Sequence, residues 1–60
     1  MTQADFLESL ESELCLRRAA FDRRALLAFV EAAWPLIDDD PDAGRWAGEF
    51  IAGGNATLTA

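Results

Sequence analysis

FDRRALLAFVEAAWPLIDDDPDAGRW, running from Phe21 to Trp46, holds two helix starts and the longest apolar run of the chain. Asp22 is placed to cap the first helix, since its carboxylate can accept backbone N–H bonds. Phe21 before it and Leu26 at the fourth helical position make a hydrophobic staple. From there Leu26, Leu27, Phe29, Val30, Ala32, Ala33, Trp34, Leu36 and Ile37 take up well over half of the circumference, leaving Arg24, Ala28 and Glu31 as a polar strip. A helix this apolar touches neighbours on two sides and is expected to be central. Pro35 offers no N–H to the carbonyl of Glu31, so the helix is expected to kink or stop near Trp34. The second start is Asp40-Pro41-Asp42. Here Asp40 is the expected N-cap, Pro41 fits the first helical position, and Asp42 suits the positive end of the dipole.

Beyond this stretch, a third helix is expected from Pro41 to about Ala52, with Ala43, Trp46, Ala47, Phe50 and Ile51 on one face and Asp42, Arg45 and Glu49 on the other. Gly53-Gly54-Asn55 closes it, because both residue types accept the left-handed conformation. Gly44 and Gly48 each lower helix propensity by about 1 kcal/mol, and the expected return is close approach by another helix. Towards the N-terminus, a helix beginning near Thr2 or Asp5 carries Phe6, Leu7, Leu10, Leu14 and Phe21 in one stripe. Glu13 and Arg17 stand four apart in the favourable order, worth roughly 0.3 kcal/mol. A tight turn around Ala19 to Asp22 separates this helix from the next.

The expected fold is all-α: a small three-helix bundle, or a helical hairpin plus a short third helix, completed by oligomerisation. Residues 1–54 form a single helical domain and 55–60 a flexible C-terminal tail. Sixty residues bury only about 60% of the surface an unfolded chain exposes, so the core is marginal. Cys15 is the only cysteine, which removes intramolecular disulfides as a remedy. With 52% of residues hydrophobic, apolar surface is left over for a partner, and a second copy is the simplest one.

The net charge of −6, from eleven acids against five arginines and no lysine, argues against direct binding of nucleic acid or anionic lipid. The opening residues lack a secretory pattern and the apolar runs fall short of a membrane span, so a cytoplasmic protein is expected. Arginine without lysine in an alanine-rich chain suggests a GC-rich bacterial genome. Histidine, tyrosine and lysine are absent, and Ser9, Ser12 and Cys15 have no base to activate them. Neither an enzyme nor a cofactor-binding protein is expected.

Three constellations remain. Asp38, Asp40, Asp42 and Glu49 match the first, third, fifth and twelfth ligand positions of an EF-hand loop. Ala43, however, stands where the sharp-turn glycine belongs, and Pro41 stiffens the loop, so helix capping is the preferred reading. Arg17, Arg18, Arg23 and Arg24 cluster at the first turn, where an anion could bind, although pairing with carboxylates is the plainer use. Phe29, Trp34, Trp46 and Phe50 are core residues first and interface anchors second. Asn55-Ala56-Thr57 matches a glycosylation sequon that has no use without export. The leading functional expectation is a non-enzymatic helical module for protein–protein interaction or oligomerisation, a homodimer or a piece docking on a larger protein. The alternatives are an EF-hand-like cation-binding helix-loop-helix, and an acidic regulator occupying a basic nucleic-acid-binding surface of another protein.

Overall fold

The computed structural model describes residues 2–58 and contains, in order, α1 (Gln3–Leu16), β1 (Ala19–Phe21), α2 (Arg23–Asp39), α3 (Ala43–Ala52) and β2 (Ala56–Leu58). Thr2 caps α1 by accepting the Asp5 N–H at 3.1 Å, and Asp22 caps α2 by accepting the Arg24 N–H at 3.0 Å. Asp22 caps where the sequence placed it, and Thr2 is one of the two starts expected for α1.

The two short strands are an addition to the expected all-helical fold. They pair antiparallel in the register Ala19 with Leu58, Ala20 with Thr57 and Phe21 with Ala56. Thus Phe21 belongs to β1 and not to the stripe of α1, and much of the segment read as a loose tail is a strand. The closure of α3 explains the return. Gly54, at φ 81°, sends the chain back, while its N–H bonds the Ile51 carbonyl at 3.0 Å and the Asn55 N–H bonds the Phe50 carbonyl at 3.3 Å. This is the paired closure of a Schellman motif, and it aims the following residues at β1. Along β1, Ala19 and Phe21 are half-buried on the core while Ala20 is exposed, the alternation that a pleated strand imposes. A two-stranded ribbon is marginal alone; here Phe21 anchors it, edge-on to Phe50 with ring centroids 6.4 Å apart.

The core joins Phe6, Leu7, Leu10 and Leu14 of α1 to Leu26, Val30 and Ile37 of α2 and Trp46, Ala47 and Phe50 of α3. The central element is α1, which packs on both other helices and on β1. The expectation that α2 is central is therefore corrected: α2 buries one side only and leaves Leu27, Ala28, Ala32, Pro35 and Leu36 exposed. Nor does α2 stop at Trp34, since it runs through Pro35 to Asp39. Glu31, whose carbonyl loses its donor to the proline ring, lies on the exposed side, where water can take that donor's place. Downstream, Ile37 is fully buried and holds the last turn to the core.

Truncating Leu10, which has no exposed surface, is expected to cost roughly 2–5 kcal/mol. Leu16→Ala, on the same helix but 79% exposed, should leave the melting temperature nearly unchanged. Thermal denaturation followed by circular dichroism checks the rotation of α1: comparable losses for the two variants would show it to be wrong.

Candidate functional site

The α2–α3 corner is built around one residue. The Asp40 N–H closes α2 by bonding the Leu36 and Ile37 carbonyls at 3.2 and 3.1 Å. Its carbonyl oxygen accepts two hydrogen bonds, from the Asp42 N–H at 2.9 Å and from the Trp46 indole Nε1–H at 2.8 Å. Its carboxylate takes Arg45 Nη1 at 2.7 Å, and the same guanidinium lies 5.1 Å from the centre of the Trp46 ring. The three-residue turn closed from Asp42 back to Asp40 has Pro41 at its centre, where the pyrrolidine ring fixes φ and asks for no partner.

This arrangement corrects the cap assignment. Asp40 ends α2, and Asp42 is the N-cap of α3, with Oδ1 accepting the Arg45 N–H at 3.3 Å. The acid series is divided between two helices and the turn that joins them. Asp38 lies in the last turn of α2, Asp40 and Asp42 flank Pro41, and Glu49 stands on α3, with only residues 40–42 between the helices. Among the described residues no group of three or more carboxylates or thiols is gathered as a metal would require.

The glycine pair of α3 also has a use other than the one expected. It seats an arginine: Arg17 Nη2 donates to the Gly44 carbonyl at 2.8 Å, and a Cβ built on Gly48 would meet Arg17 Nη1 at 3.6 Å. The C-terminal end of α1 is thereby tied to the first half of α3, with Glu13 a further 3.9 Å from the same guanidinium. The other clustered arginines go elsewhere. Arg23 faces Glu11 at 3.6 Å, Arg18 sits at φ 55° in the link from α1 to β1, and the exposed Arg24 enters none of the ion pairs among the described residues.

The aromatic candidates are spent on the core. Phe50 has no exposed surface and Trp46 only 8%; Phe29 bridges them with centroid distances of 5.1 Å to Phe50 and 6.3 Å to Trp46. Trp34 is half-buried, edge-on to Phe6 at 6.1 Å. Of the chemically reactive side chains, Ser9 donates to the Asp5 carbonyl at 3.3 Å and Cys15 is an exposed free thiol.

What the molecule leaves uncovered is aliphatic. Leu16, Leu27, Leu36 and Leu58 are exposed by 79, 45, 66 and 57%. On α2 the exposed side is continuous: at about 100° per residue Ala28, Ala32 and Pro35 share its centre, with Leu27 and Leu36 at opposite edges. Leu27 also borders a groove of about 430 Å³ between α1 and α2, where Leu7 and Val30 form the floor and Gln3, Ala4 and Glu31 the rim. Leu27 and Leu36 belong to the apolar surface for which two neighbours were expected, and a helix apolar over most of its surface gives no sign of which half is covered. Among the described residues no helix is long and apolar enough to cross a membrane. No family model, curated protein or solved structure matches the chain.

Two measurements check this corner. Asp42→Ala should cost about 1 kcal/mol through loss of the cap, whereas Asp40→Ala, which keeps every backbone contact and gives up an exposed ion pair, should cost less than about 0.5 kcal/mol; the reverse order in urea titrations would restore Asp40 as the cap. Gly48→Ala places its methyl at ordinary contact distance from Arg17 and should stabilise the fold by up to about 1 kcal/mol. A lower melting temperature would mean that Arg17 cannot share the groove with a methyl group.

Proposed function

We propose that this protein is a small non-enzymatic interaction module that docks through the outward side of α2, assembling with a second copy of itself before any larger partner. The observation that carries this reading is the exposed run of Leu27, Ala28, Ala32, Pro35 and Leu36 on one helix of a sixty-residue chain. Fully covering a leucine is worth about 1.5–3 kcal/mol. Association costs at least about 4 kcal/mol in lost freedom of motion, so both leucines and the small residues between them must take part. Because Trp46 and Phe50 are occupied inside, the anchors of the interface are leucines. The absence of histidine, tyrosine and lysine supports a role without catalysis. The exposed thiol of Cys15 suits the reducing cytoplasm.

Sedimentation of the wild-type chain from micromolar to millimolar concentration should show a mass rising above that of one chain. Leu36→Glu should hold it at one chain with the helical circular dichroism unchanged. A single-chain mass for the wild type at every concentration would overturn the reading.

A further inference from the structure

We infer that two copies pair α2 against α2 antiparallel, across a two-fold axis between Glu31 and Ala32, with Arg24 of each copy against Asp39 of the other. This rests on the reading of α2 as the docking surface and adds its partner and register. The charges of α2 are sorted by end: Arg23 and Arg24 at the start, Asp38 and Asp39 at the finish, and Glu31 alone between them. Arg24 and Asp39 lie about 22 Å apart along the axis and within about 60° around it, on the side that carries Ala28, Ala32 and Pro35. An antiparallel two-fold brings each arginine to the other copy's aspartate and sets Ala28 opposite Pro35, small residues that permit close approach. A parallel pairing would put arginine on arginine and aspartate on aspartate.

Availability points the same way. Arg23 is drawn to Glu11 and Arg45 to Asp40, but among the described residues neither Arg24 nor Asp39 has an ion-pair partner within the chain. Self-repulsion also selects this side. The outward surface of α1 carries the exposed Asp5 and Glu8 and the half-buried Glu11 and Glu13, with no cation before Arg17. In contrast, α2 sets two arginines against three acids in a chain of net charge −6, so copies meet there with the least unfavourable charge. Since the same patch serves on both copies, the contact closes on itself and stops at two.

Exchanging the charges tests the register. Arg24→Glu puts an acid in the first turn of α2 and Asp39→Arg a base in the last, changes that suit the helix dipole, so both variants should fold. Each alone should weaken the wild-type dimer about tenfold or more, because both symmetric pairs turn repulsive. The double variant should return to within about threefold of wild type. Most tellingly, an equimolar mixture of the two single variants should form mixed dimers in preference to either pure dimer, which native mass spectrometry can count. A wild-type dimer indifferent to these exchanges overturns the register alone, and the Leu36→Glu variant then decides whether α2 is the docking surface. A wild-type monomer at millimolar concentration overturns both.

Discussion

The carbonyl oxygen of Asp40 holds the corner on which the packing of α3 relies. Trp46 is almost wholly buried, and a buried indole N–H without a partner would cost on the order of 1–3 kcal/mol. The partner it finds is the carbonyl of Asp40, the C-cap of α2, whose second lone pair takes the Asp42 N–H across Pro41. One acceptor thus fixes the end of one helix, the turn, and the depth at which the next helix inserts its largest side chain. With Trp46 so placed, Phe50 one turn on falls beside Phe29 and Phe21, and the aromatic layer closes under the β-ribbon.

The first half of α3 is also held from the side of α1. Arg17, the last residue before the chain leaves α1, lays its guanidinium over Gly44 and Gly48 and bonds a helical carbonyl. An arginine stem packs well on apolar surface while its head keeps contact with water, so the clasp covers the gap left by two glycines without burying a charge. Among the described residues no buried side-chain nitrogen or oxygen lacks a partner. A core of ten buried residues has little stability to offset an unsatisfied polar group. The Asp40 carbonyl and the Arg17 clasp meet these polar needs at the start of α3, alongside the hydrophobic area of the core.

The economy of the core has a consequence at the surface. Two helices and a ribbon can surround α1, but the same few elements cannot also surround α2, so one side of a helix with a wide apolar surface is left to water. Its composition limits what can meet it: alanines and a proline at the centre, leucines at the edges, and opposite charges at the two ends. The acidic excess of the chain is carried mainly elsewhere, by α1 and by the corner between α2 and α3.

The three helices and the Asp22 cap were legible in the residues themselves, because hydrophobic spacing and capping act through neighbours two to four positions away. Gly53-Gly54-Asn55 marked the end of α3 for the same reason. Which of two aspartates caps α3 was not legible, since Asp40 and Asp42 are chemically alike and the Asp40 carbonyl is fixed by the distant indole of Trp46. The seat of Arg17 on Gly44, the pairing of Ala19–Phe21 with Ala56–Leu58, and the exposure of Leu27 and Leu36 were equally hidden. Each of these joins residues far apart in the chain, or depends on how many neighbours a helix has room for, and local propensity carries no record of either. Covalent spacing sets where a helix begins, ends and turns its apolar side; burial and long-range hydrogen bonding set which part of that side becomes core and which remains exposed.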